Sequence, residues 1–173
     1  MVIIHSKGFK LRPIEKGDEY SLVKNINNKK IAGNMSHIPY PYKLRDARLW
    51  VSKNLRMTRK GEKVLDFVID SQGEAIGMIG LEIDKTNRYK AQFGYWLGER
   101  YWRQGIMTEA VKIFTDYAYK KLKIKRLFAE VFASNKASAR VLKRAGYKLE
   151  GVLKKNSLKN NKLVDDLIFA KVK

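Results

Sequence analysis

The sequence predicts a mixed α/β fold in which helices flank a twisted, mostly antiparallel sheet. Three observations carry this. The apolar run Ala91-Gln92-Phe93-Gly94-Tyr95-Trp96-Leu97-Gly98 reads as a strand, and a turn at Gly105 leads from it into Val111-Lys112-Ile113-Phe114-Thr115-Asp116-Tyr117-Ala118, which has helical spacing. A second strand-to-helix passage follows at Asn135. Two further strand-like runs face each other across Ser71-Gln72-Gly73-Glu74, a hairpin signal.

The elements follow in order. Residues 9–12 form a first strand and 18–25 a helix. Residues 46–58 form a second helix, with Trp50, Val51 and Leu55 inward and Gly61 just beyond its end. Residues 64–69 and 75–83 pair as the hairpin, and Asn87 to Lys90 turn the chain into the strand 91–97. A helix over 108–122, a strand over 124–133 and a helix over 135–145 come next, with Gly146 fitting the helix C-terminal cap. Two last strands, 148–153 and 163–172, flank a basic loop.

The most informative stretch is Tyr101-Trp102-Arg103-Gln104-Gly105-Ile106-Met107-Thr108-Glu109-Ala110. The first turn of a helix leaves backbone N–H groups unpaired, and the macrodipole adds partial positive charge there. Gly105 lets the backbone approach a bound group closely, and Arg103 adds a cation suited to phosphate. The expected guest is a phosphate-bearing cofactor.

This loop, followed by Glu130-Val131-Phe132-Ala133-Ser134-Asn135-Lys136-Ala137-Ser138 and later Gly146-Tyr147, resembles the GNAT acyl-coenzyme A transferases in order and spacing. Gly94-Tyr95-Trp96-Leu97 and the Trp102–Ala110 segment are similar to the Rim-type branch, the ribosomal-protein N-terminal acetyltransferases. Ile38-Pro39-Tyr40-Pro41-Tyr42, Asp46-Ala47 and Trp50 also look like that branch, so the matches cover most of the chain. Trp102 and Met107 depart from the superfamily loop pattern. The resemblance implies the GNAT fold, with strands ending near Leu97 and Ala133 splayed around a pantetheine arm. It also implies acetyl-CoA as co-substrate, held by Trp96, Leu97, Arg103, Gln104, Gly105, Ile106, Met107, Thr108, Asn135 and Ser138.

Composition bounds the alternatives. A chain of 173 residues without linker, repeat or low-complexity stretch suits one domain over residues 1–173. The apolar runs fall far short of a membrane span and the N-terminus lacks a signal-peptide hydrophobic region, so a cytoplasmic location is expected. With no cysteine, disulfides, thiol nucleophiles and thiolate metal sites are excluded; His5 and His37 alone argue against a histidine metal site. The net charge of +20 is either a solvated lysine-rich surface or a device steering anionic partners, coenzyme A and an acidic or ribosomal surface among them. No DNA-binding motif is visible.

An α-amine with a pKa of about 7.7–8.0 is partly neutral already, so direct attack on a thioester needs only modest help from a base. Glu130 is the leading base, expected on one strand face with Phe128 and Phe132, where a carboxylate between aromatics should have a raised pKa. A salt-bridge partner for a lysine is the alternative reading, and Glu82 is a weaker base candidate. One Rim-type branch carries a catalytic Glu matching Glu130, with a tyrosine donor where this chain has Leu142. Another uses the serine matching Ser138, with a Glu where this chain has Ser157. Neither pair is complete, so Glu130 with Ser138 is a hybrid; Ser138 is otherwise a first-turn helix residue or a coenzyme contact. Asn135 is expected to meet the pantetheine amides, to cap a helix, or both.

Trp50 and Trp96 are expected in the core, Tyr147 under the cofactor or sheet edge, and His37 at the surface or lining an acceptor pocket. Asp165-Asp166 is discounted as a metal pair because neighbouring strand residues face opposite sides. The resulting reading is an N-acetyltransferase acting on a protein N-terminal α-amine, as monomer or homodimer. A polyamine or antibiotic acetyltransferase, or a non-catalytic basic ribosome- or RNA-associated module, are the competing readings.

Overall fold

The computed structural model describes residues 3–36 and 38–173. Its elements are β1 (Ile4–Ser6), β2 (Phe9–Pro13), α1 (Asp18–Ile26), α2 (Lys29–Ala32), α3 (Leu44–Arg59), β3 (Asp66–Ser71), β4 (Glu74–Ile83) and β5 (Lys90–Leu97). After a single 3₁₀ turn, Glu99–Tyr101, come α4 (Ile106–Lys121), β6 (Arg126–Phe132), α5 (Lys136–Arg144), β7 (Lys148–Lys159) and β8 (Lys162–Val172). The strands follow the order β1-β2-β3-β4-β5-β6-β8-β7. Only β5 against β6 is parallel among the registers described; β1–β2, β2–β3, β3–β4, β6–β8 and β7–β8 are antiparallel. The mixed, mostly antiparallel fold class therefore holds.

The chain divides into two compact units, one of residues 1–80 and 95–106, the other of residues 81–94 and 107–173. In the first, α1 and α3 cover the sheet over a core of Ile14, Leu22, Ile26, Ile31, Val51, Val68, Ala75, Met78 and Trp96. Trp96 is thus core, as expected, while Trp50 is half-buried at the rim. A buried ion triad sits beside this core. Arg12 donates through Nε to Asp70 (2.6 Å) and through both Nη atoms to Asp18 (2.9 and 2.7 Å), joining β2, β3 and α1. The hairpin turn uses Gln72 (φ 54°) and Gly73 (φ 84°), the pair of left-handed residues that twists two strands together without splaying them.

In the second unit, Phe93 packs on Tyr147 (5.2 Å between rings) and Phe114 (6.5 Å), with Leu127, Leu142 and Phe169 fully buried. The Tyr147 hydroxyl shares a hydrogen bond with Thr115 Oγ1 (2.6 Å), so Tyr147 is a core residue with a satisfied polar end.

Three features escape the sequence reading. β1 and α2 are too short to show a period, and only their turns mark them: Gly8 (φ 85°) joins β1 to β2, and the Asn28 side chain caps α2. The expected basic loop before residue 163 is instead strand. β7 runs on to Lys159 and closes through Asn160 (φ 49°) and Asn161 (φ 58°), because asparagine tolerates left-handed backbone. The register shifts between Leu153 and Ser157, with Lys155 at φ 51° and its N–H held by Asp165 Oδ1 (2.9 Å). That bulge breaks the alternation by which a strand would be recognised.

Candidate active site

The passage from β5 into α4 is built by three local devices. The Gly98 N–H donates to the Ile76 carbonyl (2.8 Å), which fixes the end of β5. The Trp102 indole Nε1 donates to the Leu97 carbonyl (2.7 Å) and folds the following turn back on that strand. Gln104 Nε2 donates to the Arg100 carbonyl (2.9 Å), so its side chain braces the loop itself. Arg103 (φ 62°) and Gly105 (φ 78°) then adopt left-handed backbone two residues apart. Left-handed residues of this kind are the elements from which backbone anion nests are built. The first-turn N–H groups of Ile106, Met107 and Thr108 have no intrahelical partner, as at any helix start.

The ten cofactor candidates therefore differ in how they can act. Arg103, Gln104 and Gly105 are exposed, Ile106, Thr108, Asn135 and Ser138 half-buried, and the side chains of Trp96, Leu97 and Met107 belong to the core. The last three present little surface to a ligand. A Cβ at Gly105 would meet no atom within 4 Å, so the protein itself leaves open the space above this glycine. These features fit a pyrophosphate group.

The second segment lies wholly in the second unit. β6 pairs with β8 along its length, from Arg126–Val172 to Phe132–Asp166, but with β5 only at Arg126, Leu127 and Phe128. Its later residues carry Glu130. As expected, Phe128, Glu130 and Phe132 share a face, because alternate strand residues do. The expected enclosure by aromatics is absent, since Glu130 is exposed. The aromatic neighbours are instead covered by cations: Lys90 Nζ is 5.3 Å from the Phe128 ring centre and Lys159 Nζ 5.7 Å from that of Phe132. Glu130 forms no ion pair among the described residues, so the salt-bridge reading finds no partner. Glu82 is also exposed.

Asn135 caps α5, its Oδ1 accepting from the Ser138 N–H (3.1 Å). Leu142, standing where one branch has its tyrosine, is fully buried and offers no hydroxyl. Ser157, where another branch has a glutamate, donates from Oγ to Asp166 Oδ2 (2.6 Å), to which Asn156 Nδ2 also donates (2.8 Å). Asp166 is 2 % exposed, while Asp165 binds Lys154 and the Lys155 N–H. The two carboxylates face apart, and no cluster among the described residues could hold a metal. His37 lies outside the described residues. The Ser157–Asn156–Asp166 cluster is hidden in the sequence because the bulge in β7 interrupts the strand alternation, and only the register with β8 brings these side chains together. No helix among the described residues is long and apolar enough to cross a membrane.

The acetyltransferase (GNAT) domain family matches residues 9–148. A probable N-acetyltransferase of Bacillus subtilis, YjcK, is 38 % identical over 101 residues, 58 % of this chain, and the chain spans only 56 % of that relative's length. The spermidine N(1)-acetyltransferase of Escherichia coli K12 is 26 % identical over 145 residues, covering 83 % of this chain and 75 % of its own length. Among solved structures, RimL, a ribosomal α-N-protein acetyltransferase in complex with coenzyme A, superposes with a TM-score of 0.85 at 26 % identity, covering 99 % of this chain and 98 % of that one. With the loop geometry and the strand order, these likenesses bear out the resemblance read from the two motifs: the chain belongs to the acetyltransferase (GNAT) family.

Proposed function

We propose that this chain transfers the acetyl group of acetyl-CoA to a primary amine, with the N-terminal α-amine of a protein, a ribosomal one included, as the favoured acceptor. Residues 1–173 act as one functional domain in this reading. The observation that carries it is the left-handed pair Arg103 and Gly105 opening onto the free first-turn N–H groups of α4, a seat for the coenzyme pyrophosphate. The ten candidates above supply the remaining coenzyme contacts, with Asn135 Nδ2 left to donate while Oδ1 caps α5.

In the reaction the neutral amine attacks the thioester carbonyl, the C–S bond breaks, and the thiolate takes a proton. Glu130 accepts the proton the amine sheds, directly or through water, and its exposure suits a surface-delivered acceptor. In this reading Ser138, half-buried in the first turn of α5, contacts the leaving thiolate. Glu130→Gln should lower kcat by about 10²–10⁴-fold with coenzyme affinity unchanged. The loss should shrink at high pH, where the amine is already neutral; an equal loss at every pH would assign Glu130 a structural role. Ser138→Ala should have a smaller effect.

Mass spectrometry of a peptide library incubated with the protein and acetyl-CoA tests the activity and reads the acceptor sequence. The likeness to a spermidine acetyltransferase supports small amines as the second reading, and ionic strength separates the two. With a net charge of +20, activity on an acidic N-terminal peptide should fall as salt rises, mainly through KM. Spermidine should show the reverse trend and a low rate throughout. Spermidine emerging as the best acceptor at low salt would replace the protein-acceptor reading.

A further inference from the structure

The solvent face of α3 is built differently from that of α4. α4 exposes Glu109, Lys112, Asp116 and Lys120, acid and base in turn, and Lys120 Nζ lies 3.4 Å from Asp116 Oδ2. Opposite charges three or four residues apart support a helix, and like charges at that spacing oppose it. α3 buries Ala47, Val51 and Asn54 and turns Arg45, Arg48, Ser52, Arg56 and Arg59 to solvent. Steps of three and four residues set these on one stripe, about 21 Å from first to last at a rise of 1.5 Å per residue. Lys60, also exposed, prolongs it, so Arg45–Arg48, Arg56–Arg59 and Arg56–Lys60 are like-charge neighbours.

Carboxylates do not relieve this repulsion. Asp46, the one acid of α3, accepts from the Lys43 N–H at the helix start (2.8 Å) and reaches only Arg45, at 3.8 Å. Glu62, the next acid along the chain, lies beyond the helix. Arg48, Arg56, Arg59 and Lys60 have no ion pair or side-chain hydrogen bond among the described residues. The stripe is therefore a row of cations held at a cost to the helix, with nothing in its own unit to balance it.

We propose that this stripe binds the phosphate backbone of a nucleic acid. A counter-charge missing along a whole helix calls for an extended polyanion. The arginines carry planar forks that take phosphate oxygens bidentately, where a lysine offers a point charge. Apolar content decides against other occupants. Leu49, 65 % exposed, is the one large apolar side chain exposed on α3. A protein interface needs a desolvated apolar centre, and a helix lying on a membrane needs an apolar face to bury; one leucine supplies neither. With no exposed aromatic on the helix for base stacking, contact is to phosphates and independent of base sequence. This agrees with the absence of a base-reading motif in the sequence. The binding is separate from acetyl transfer and does not depend on which amine is the acceptor.

Fluorescence anisotropy on the whole protein tests this, with a short RNA duplex, a DNA duplex of the same length, and polyglutamate carrying the same charge. Duplex affinity should fall as salt rises, with a log–log slope of about −4 to −5 for the five cations of the stripe. Arg48→Gln, Arg56→Gln and Arg59→Gln together should weaken binding by about tenfold or more and make the slope shallower by about 3. Lys112→Gln, Lys120→Gln and Lys121→Gln on α4 remove the same charge and should leave affinity and slope near those of the unaltered protein. All six positions are exposed and outside the coenzyme loop, so both variants should fold and keep their coenzyme A affinity. Duplex binding that drops only in the α3 variant carries the proposal, and the tighter of RNA and DNA names the partner. Equal losses in the two variants would make the stripe one part of a diffuse positive surface. Polyglutamate binding as tightly as both duplexes would assign it to an acidic protein. Either result, or no duplex binding at low salt, would overturn the proposal.

Discussion

Gly105→Val should weaken coenzyme A binding by about 10²–10⁴-fold, the loss of two charge-assisted N–H···phosphate bonds at about 1.5–3 kcal/mol each. Two effects act together. Gly105 sits at φ 78°, where a β-branched residue is strained, so the turn shifts and the N–H groups lose their common direction. The space a Cβ would enter is clear of protein atoms within 4 Å, so any clash is with the ligand rather than with the fold. The strain, about 1–3 kcal/mol, should lower the melting temperature by several degrees while leaving the domain folded, since Gly105 is exposed and outside the core. Calorimetry on the folded variant checks this directly, and an unchanged dissociation constant would remove the loop from the coenzyme site. Gly105→Ala should lie between, having the strain but less bulk.

The largest effect on stability should come from Arg12→Met. The guanidinium is 4 % exposed and balances Asp18 and Asp70, themselves 6 % and 3 % exposed. Methionine keeps the length and apolar stem but strands two carboxylates away from water. Breaking a buried pair from one side typically costs about 3–5 kcal/mol, a large share of the roughly 5–15 kcal/mol that holds a domain together. Urea unfolding followed by tryptophan fluorescence should show the midpoint falling accordingly. Adding Asp18→Asn and Asp70→Asn should recover much of the loss, since a fully neutral cluster has no uncompensated charge; no recovery would mean that the triad matters through shape. The same triad sets an acid limit. Burial alone would raise the Asp70 carboxyl, but the bond and charge of Arg12, with the Gly73 N–H, hold it below its ordinary value. A depressed folded-state pKa gives stability that is complete above the unfolded value near 4 and is lost as pH falls toward the folded one. The acid transition of Arg12→Met should therefore be shallower there than that of the unaltered protein.

What the sequence determined by itself was local and periodic. Residues 91–97 and 124–133 showed strand composition, 108–122 and 135–145 helical spacing, and Gly105 and Asn135 marked the two passages from strand to helix. These signals survive without tertiary context because turn conformation, helix capping and alternation depend on residues a few positions apart. The family followed from the same two passages. The tertiary structure decided whatever depends on pairs distant in sequence. Glu130 was placed correctly on a face with two aromatics, yet its exposure depends on which elements cover that face, and lysines from β5 and β7 cover the rings instead. Ser157 read as loop, and only the register with β8 sets it against Asp166. Pattern spacing reports which face a side chain takes; burial and pairing are set by what the rest of the chain brings to that face, and there only the folded molecule decides.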